Sequence, residues 1–215
     1  MVDPLNLIMV LALGALVPFI AIMATSFVKI AVVLSIIRNA LGVQQIPPNM
    51  ALNGLALVLT GYIMAPVLKE TYELLAVGDY NYNTVTGLKE AFDVATGPIL
   101  RFLQMHAADS EKLFFLESAR SLWPQEMLEG VTVDHISLLL PAFTLTQLRE
   151  AFEIGFLLYL PFIAIDLIVS NILLAMGMMM VSPQTISLPF KLFLFVMVDG
   201  WSKLVLGLVR TYMAH

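Results

Sequence analysis

Cysteine is absent from this 215-residue chain. Disulfides, thiol catalysis and cysteine metal sites are therefore excluded. Charge is also scarce, because Asp, Glu, Lys and Arg make up 13% of the chain, whereas a soluble domain has about 25%. Apolar residues reach 60%, and the mean hydropathy is +0.90. Water would not solvate such a surface, so the composition indicates a membrane protein.

The few charges are unevenly distributed. Residues 69–153 hold 13 acidic and 6 basic side chains, whereas the rest of the chain holds 3 acidic and 5 basic ones. An acidic segment does not bind nucleic-acid phosphates, so we expect no nucleic-acid partner. The first apolar run has no basic residue before it, and we therefore expect no cleaved secretory signal.

Hydropathy and helix signals divide the chain into three parts. Residues 1–75 are predicted to form an apolar helical hairpin, residues 76–143 an acidic amphipathic helical insertion, and residues 144–215 a second apolar hairpin. We expect the three parts to form one integrated all-α, membrane-associated unit. Two hairpins suggest four membrane-spanning helices, of which the first would cover residues 5–28.

Glycine and proline mark the expected hairpin corners. In the first hairpin, Gly42 follows one helix, and Pro47 and Pro48 start the next. In the second hairpin, Gly177 and Pro183 break the apolar run and mark the corner.

Other helix starts are predicted from cap signals. Thr144 and Gln147 fit a capping box, which places the start of the second hairpin near Thr144. Asp109 and Ser110 are cap candidates for a helix that ends at Leu122. The last apolar helix is expected to follow Pro189.

Four charged residues interrupt or border the apolar runs. A carboxylate or ammonium group in the middle of a bilayer costs about 2.5–3.5 kcal/mol, so Asp166 and Lys191 are expected to face protein or water. Lys29 and Arg38 fit either interface charges or lipid-headgroup anchors. The hairpins should therefore pack mainly against protein partners.

No enzyme motif or cofactor site is recognisable. His106, His135 and His215 have no second ligand at metal spacing, and no phosphate-binding glycine loop is present. Asp166 and Asp199 are 33 residues apart and in different predicted helices, so the sequence allows a shared-proton carboxylate pair but offers no support for one. We therefore expect a protein without catalytic, cofactor or metal residues.

Three consecutive methionines, Met178, Met179 and Met180, lie between Gly177 and Pro183. Flexible apolar filler at a corner is the interpretation that composition alone favours. The alternative is functional: several such corners around an axis would make a soft apolar constriction, because unbranched thioethers can repack around a passing chain.

Long motifs in this sequence resemble one known family. The motifs are Arg38–Asn49, Pro141–Phe143, Ala151–Phe156, Pro161–Met180, Ile186–Lys191 and Asp199–Trp201. They are similar to the SctR/FliP family, the R-type core subunits of the type III secretion export gate in injectisomes and flagella. The resemblance covers nearly the whole chain except residues 69–130. The residues Val43–Ile46 and the missing signal peptide favour the injectisome type.

The resemblance implies an assembly rather than an enzyme. It implies five copies with S-type and T-type subunits, then U-type and V-type export components, in the bacterial inner membrane with the insertion facing the periplasm. Unfolded protein substrates would pass a gasket formed by Met178–Met180. Many members carry Glu at the position of Gln147, where it could pair with Lys191. The neutral Gln147 leaves Asp166 or a neighbouring subunit as partners of Lys191.

A secondary transporter or small ion channel is the alternative function, with Asp166 as its titratable carboxylate. Such a protein would need internal repeats, and the two hairpins share no obvious similarity beyond apolarity. An intramembrane enzyme is a third interpretation, but no nucleophile–base constellation supports it.

Overall fold

The computed structural model describes residues 15, 18–43, 46–78, 80 and 85–213. In this part of the chain, a short helical segment over residues 18–23 precedes eight α-helices. These are α1 (Phe27–Ala40), α2 (Asn49–Val77), α3 (Val85–His106), α4 (Asp109–Leu122), α5 (Gln125–Leu128), α6 (Ile136–Ala175), α7 (Pro183–Met197) and α8 (Gly200–Arg210). The described residues contain no strand, and the all-α prediction is confirmed.

Two of these helices are long and apolar enough to cross a membrane. They are α2, with 29 residues, and α6, with 40 residues. The pair α7 and α8, bent by 61°, would make a third span if it crosses as one unit. Half of the predicted first span, residues 5–28, lies outside the described residues.

The chain itself buries little of these spans. Only 17% of the most apolar stretch of α6 is buried, and 28% of that of α2. Lipid or another protein must therefore cover the remaining apolar surface.

Contacts group the chain into two compact units. The first contains Met1–Val28 and Met64–Gln147, and the second contains Lys29–Ile63 and Leu148–His215. The long helices α2 and α6 each contribute residues to both units. The predicted division at residues 75 and 143 follows hydropathy rather than contacts, and it stays a prediction.

The second unit is built around α1. The apolar face of α1 repeats at helical spacing and is almost fully buried through Ile30, Val33, Leu34 and Ile37. Helix α6 comes close to it at Gly155, where a Cβ atom would lie 2.5 Å from Cδ1 of Ile36. A glycine at this position thus lets two backbones approach, which places the charged residues of α1 beside α6.

The predicted capping box is wrong, because α6 begins at Ile136 and passes through Thr144 without a break. The hydroxyl of Thr144 donates to the carbonyl of Leu140 at 2.9 Å, a bond to the preceding turn that mid-helix threonines commonly make. The side chain of Gln147 donates from Nε2 to the carbonyl of His106 at 3.2 Å. The pair therefore serves packing within the first unit and not a helix start.

Helix α4 also starts differently from the prediction. Asp109 and Ser110 are its first helical residues, and the N-cap is Ala108, which has no side-chain oxygen. The N–H of Ala108 donates to the hydroxyl of Thr146 at 3.0 Å. Helix α4 therefore starts without a side-chain cap, and a residue of α6 binds the N–H of its N-cap residue.

The last apolar helix does not begin after Pro189, which lies inside α7. The helix breaks ten residues later at Asp199, whose φ of 53° is left-handed. At the next position a Cβ on Gly200 would lie 2.4 Å from the ring of Phe195, so only glycine fits without rearrangement. The backbone at this pair produces the bend between α7 and α8.

Candidate functional site

The methionine run forms an ordered corner between α6 and α7, and residues 176–182 are called the methionine corner below. Helix α6 ends in a Schellman motif: the N–H of Met178 donates to the carbonyl of Leu173 at 2.9 Å, and that of Gly177 to Leu174 at 3.0 Å. Gly177 supplies the left-handed φ of 72° that this motif needs. Pro183 then opens α7 directly after the N-cap Ser182, whereas the sequence predicted a helix start after Pro189.

The three methionine side chains project away from this fixed backbone. Met178 is 43% exposed, Met179 is 80% exposed and Met180 is fully exposed. Flexible filler would be buried against neighbouring side chains, so within this chain these thioethers fill no core. The corner therefore presents three apolar, flexible side chains on a backbone whose turns are closed by hydrogen bonds.

A buried ion pair joins the two helices that flank the methionine corner. Nζ of Lys191 on α7 lies 2.6 Å from a carboxylate oxygen of Asp166 on α6. The other carboxylate oxygen accepts a hydrogen bond from the hydroxyl of Ser187 at 2.6 Å. The Lys191 side chain is 6% exposed and that of Asp166 is 34% exposed. Asp166 is thus the partner of Lys191 within the chain, one of the two alternatives left open above.

Lys191 also reaches the first hairpin corner. Its Nζ donates to the carbonyl of Ala40, the last residue of α1, at 3.2 Å. A cation is favourable there because helix C-termini carry unsatisfied carbonyls and partial negative charge. Gly42, with φ of 77°, follows as the predicted helix stop. One side chain therefore connects α1, α6 and α7.

Arg38 holds the other side of the first corner. Its Nη1 donates to the carbonyl of Pro47 at 3.5 Å and to the side-chain oxygen of Asn49. Helix α2 starts at Asn49, directly after Pro48, whose carbonyl accepts from the first turn. The predicted restart at the two prolines is confirmed to within one residue.

Lys29 is 1% exposed, which does not fit a lipid-headgroup anchor. Its Nζ lies 2.6 Å from Glu150, donates to the hydroxyl of Thr211 at 3.3 Å and sits 4.0 Å from the ring centroid of Tyr212.

Lys29 lies on α1, which is not a candidate span. Burial lowers the pKa of Lys29, and Glu150 opposes the shift through its hydrogen bond and charge. Burial, followed by the charge of Glu150, raises the pKa of Tyr212.

The sequence singled out the charged residues of these contacts but not most of their partners. Asp166, Lys191, Lys29 and Arg38 were all singled out, and each has a specific partner in the second unit. Ser187, Glu150, Thr211 and Tyr212 were missed as partners. Only Ser187 carried a signal, since it lies four residues before Lys191 on one helix face.

The described residues hold no cluster of three His, Asp or Glu side chains that could bind a metal ion. His106 lies edge-to-face with Phe102 at a centroid distance of 4.6 Å. The chemistry of this part of the chain is therefore that of apolar surface and buried charge pairs.

Comparison with known proteins identifies relatives along nearly the whole chain. The model of the FliP family matches residues 8–208. Yop proteins translocation protein R of Yersinia pestis is 55% identical over 210 residues, covering 98% of this chain and 97% of that protein. The virulence protein YscR of Salmonella typhimurium is 48% identical over 213 residues (98% and 97%). The hypersensitivity response secretion protein HrcR of Ralstonia nicotianae is 46% identical over 209 residues (96% of each).

Fold and site together define an all-helical membrane protein with an exposed methionine corner and charged residues that connect its helices. The chain belongs to the FliP family. It is a type III secretion export protein, a transport component and not an enzyme, with relatives of the YscR and HrcR kind. The resemblance found in the sequence, including its injectisome branch, is confirmed.

Proposed function

We propose that this chain is a structural, pore-forming subunit of the type III export gate. It passes unfolded protein substrates across the bacterial inner membrane, and Met178, Met179 and Met180 form the gasket that closes the channel. The methionine corner carries this proposal, because its backbone is closed by hydrogen bonds while its thioethers are exposed.

A gasket needs a fixed support and a deformable rim. The Schellman motif and the Asp166–Lys191 pair supply the support, since they fix both helices that enter the corner. The methionines supply the rim, because an unbranched side chain with three rotatable bonds can repack around many different substrate side chains. When no substrate is present, converging apolar side chains exclude water and hence ions.

The gate would be an oligomer of five copies with S-type and T-type subunits, followed by U-type and V-type components. The poor burial of α2 and α6 within the chain supports an assembly with further subunits. The hydrophilic insertion, residues 76–143, would face the periplasm within the base of the secretion system. Asp166, Lys191, Lys29 and Arg38 would act as assembly residues by keeping each copy in one shape.

Replacing Met178–Met180 with alanine tests the gasket. We expect ion leakage through the assembled gate to rise severalfold, because truncation removes the groups that close the channel. A control variant replaces three comparably exposed methionines elsewhere, Met50, Met105 and Met127, which are 85%, 57% and 58% exposed. Leakage is measured in growing cells that contain the complete apparatus, alongside secretion of a substrate. If leakage and secretion both stay at wild-type levels in the corner variant, the gasket role is wrong.

A further inference from the structure

An apolar groove of about 550 Å³ lies beside α8 in the second unit. Its walls come from α1, α6, α7 and α8 and include Phe162, Leu194 and Leu204. The bend between α7 and α8 lies at the groove, since Val198 and Gly200 are both in its lining. The groove therefore lies at the Asp199–Gly200 break.

Gly207 keeps one wall of the groove open. It lies inside α8, where glycine is less stable than alanine, and its φ is not left-handed, so the backbone does not require glycine. A Cβ atom added there would meet nothing within 4 Å. A larger side chain at position 207 would therefore enter open space at the edge of the groove.

Two cations lie on the same face of α8 as Gly207. Lys203, Gly207 and Arg210 follow one another at i, i+4 and i+7, the spacing of one helix face. Lys203 also lines the groove. Both cationic side chains are exposed, and neither has an ion pair or side-chain hydrogen bond among the described residues. An unpaired cation pair at an apolar groove is unusual in a chain with a net charge of −5.

We propose that this groove holds one acyl chain of an anionic phospholipid whose phosphate lies against Lys203 and Arg210. Hydrocarbon matches the apolar walls, and the phosphate matches the two free cations in charge. The groove volume also lies within the roughly 300–1,000 Å³ that small-molecule sites span, so one acyl chain fits.

The test is the lipid that remains on the complete complex after extraction from its native cells in mild detergent. Native mass spectrometry would measure retained phosphatidylglycerol and phosphatidylcholine after each is added in turn. Gly207→Leu should lower retention of both lipids at least tenfold, because its side chain fills the groove. Lys203→Gln and Arg210→Gln should each weaken phosphatidylglycerol binding about fivefold and leave phosphatidylcholine unaffected.

Matched controls lie on α3. Gly97→Leu also places leucine in open space on a helix, and Lys89→Gln also removes an exposed cation. Both should retain wild-type amounts of lipid. If Gly207→Leu does not assemble, the two charge variants decide the outcome. The proposal would be overturned if the wild type retained the two lipids equally, or if the charge variants retained as much lipid as the wild type. It would also be overturned if a photo-crosslinker at position 207 attached to protein instead of lipid.

Discussion

Loss of Asp166 would leave Lys191 as a buried cation with only the carbonyl of Ala40 as partner. Removing one member of a buried pair typically costs about 3–5 kcal/mol. The Asp166 side chain is 34% exposed, so water already screens part of the attraction, and the cost of Asp166→Ala should be nearer about 2–3 kcal/mol. The variant should therefore destabilise the second unit clearly without preventing synthesis.

The reverse variant should cost less. Lys191→Met removes the buried cation and leaves Asp166 with the hydroxyl of Ser187 and with solvent, at a cost of about 1 kcal/mol. The double variant Asp166→Ala/Lys191→Met leaves no unpaired buried charge and should recover most of the loss, because apolar replacement of a buried pair is often close to neutral. The single variants together cost about 3–4 kcal/mol and the double variant should cost about 1 kcal/mol, so the coupling between the two sites should reach about 2–3 kcal/mol.

Thermal unfolding of the detergent-solubilised complex would measure these effects. At roughly 2–4 °C for each kcal/mol in a chain of this size, Asp166→Ala should lower Tm by about 5–10 °C. Ser187→Ala is the matched control, since it removes one hydrogen bond to Asp166 and keeps both charges. The reasoning is refuted if the double variant is as unstable as the sum of the single variants, or if Lys191→Met is the more damaging change.

Two other predictions concern the corner and the Lys29 pair. Gly177→Ala should cost about 1–2 kcal/mol of unfolding free energy, because an alanine with φ of 72° is strained. The control Gly54→Ala, at a helix position with open space around it, should be neutral or stabilising, and the Tm values of the two variants test the difference. Glu150→Gln should lower Tm more than Lys29→Met, because only Glu150→Gln leaves a buried ammonium group without its carboxylate partner. Equal decreases in Tm for the two variants would contradict the structural role of the Lys29–Glu150 pair.

The sequence predicted correctly the features that local backbone geometry determines. Gly42 and Gly177 end helices where predicted, because a left-handed residue after a helix is required by the backbone alone. Pro183 interrupts the apolar run where predicted for an equally local reason, its fixed φ, although the start of α7 at this residue was not predicted. The apolar runs and the long family motifs likewise needed no knowledge of contacts between distant residues.

The failures arose where tertiary contacts replaced local ones. Thr144 had a capping pattern, but its hydroxyl bonds the preceding turn of a helix that had already started at Ile136. Helix α4 starts at Asp109 without a side-chain cap, and the N–H of its N-cap residue Ala108 donates to the hydroxyl of Thr146, 38 residues away. Lys191 and Asp166 are separated by 25 residues, and nothing in their spacing could select this pair over a contact with another subunit.

The central claim is that several copies of this chain bring their methionine corners together. The absence of cysteine makes a direct test available, because Met180→Cys would introduce the only thiol. Disulfides require Cβ atoms roughly 3.5–4.5 Å apart, so mild oxidation of the closed gate in membranes should link copies through position 180. The control Val77→Cys, at an 89% exposed position, should not link them. The account would be contradicted if the chains stayed monomeric and the thiol at position 180 reacted freely with a bulky maleimide in the closed gate.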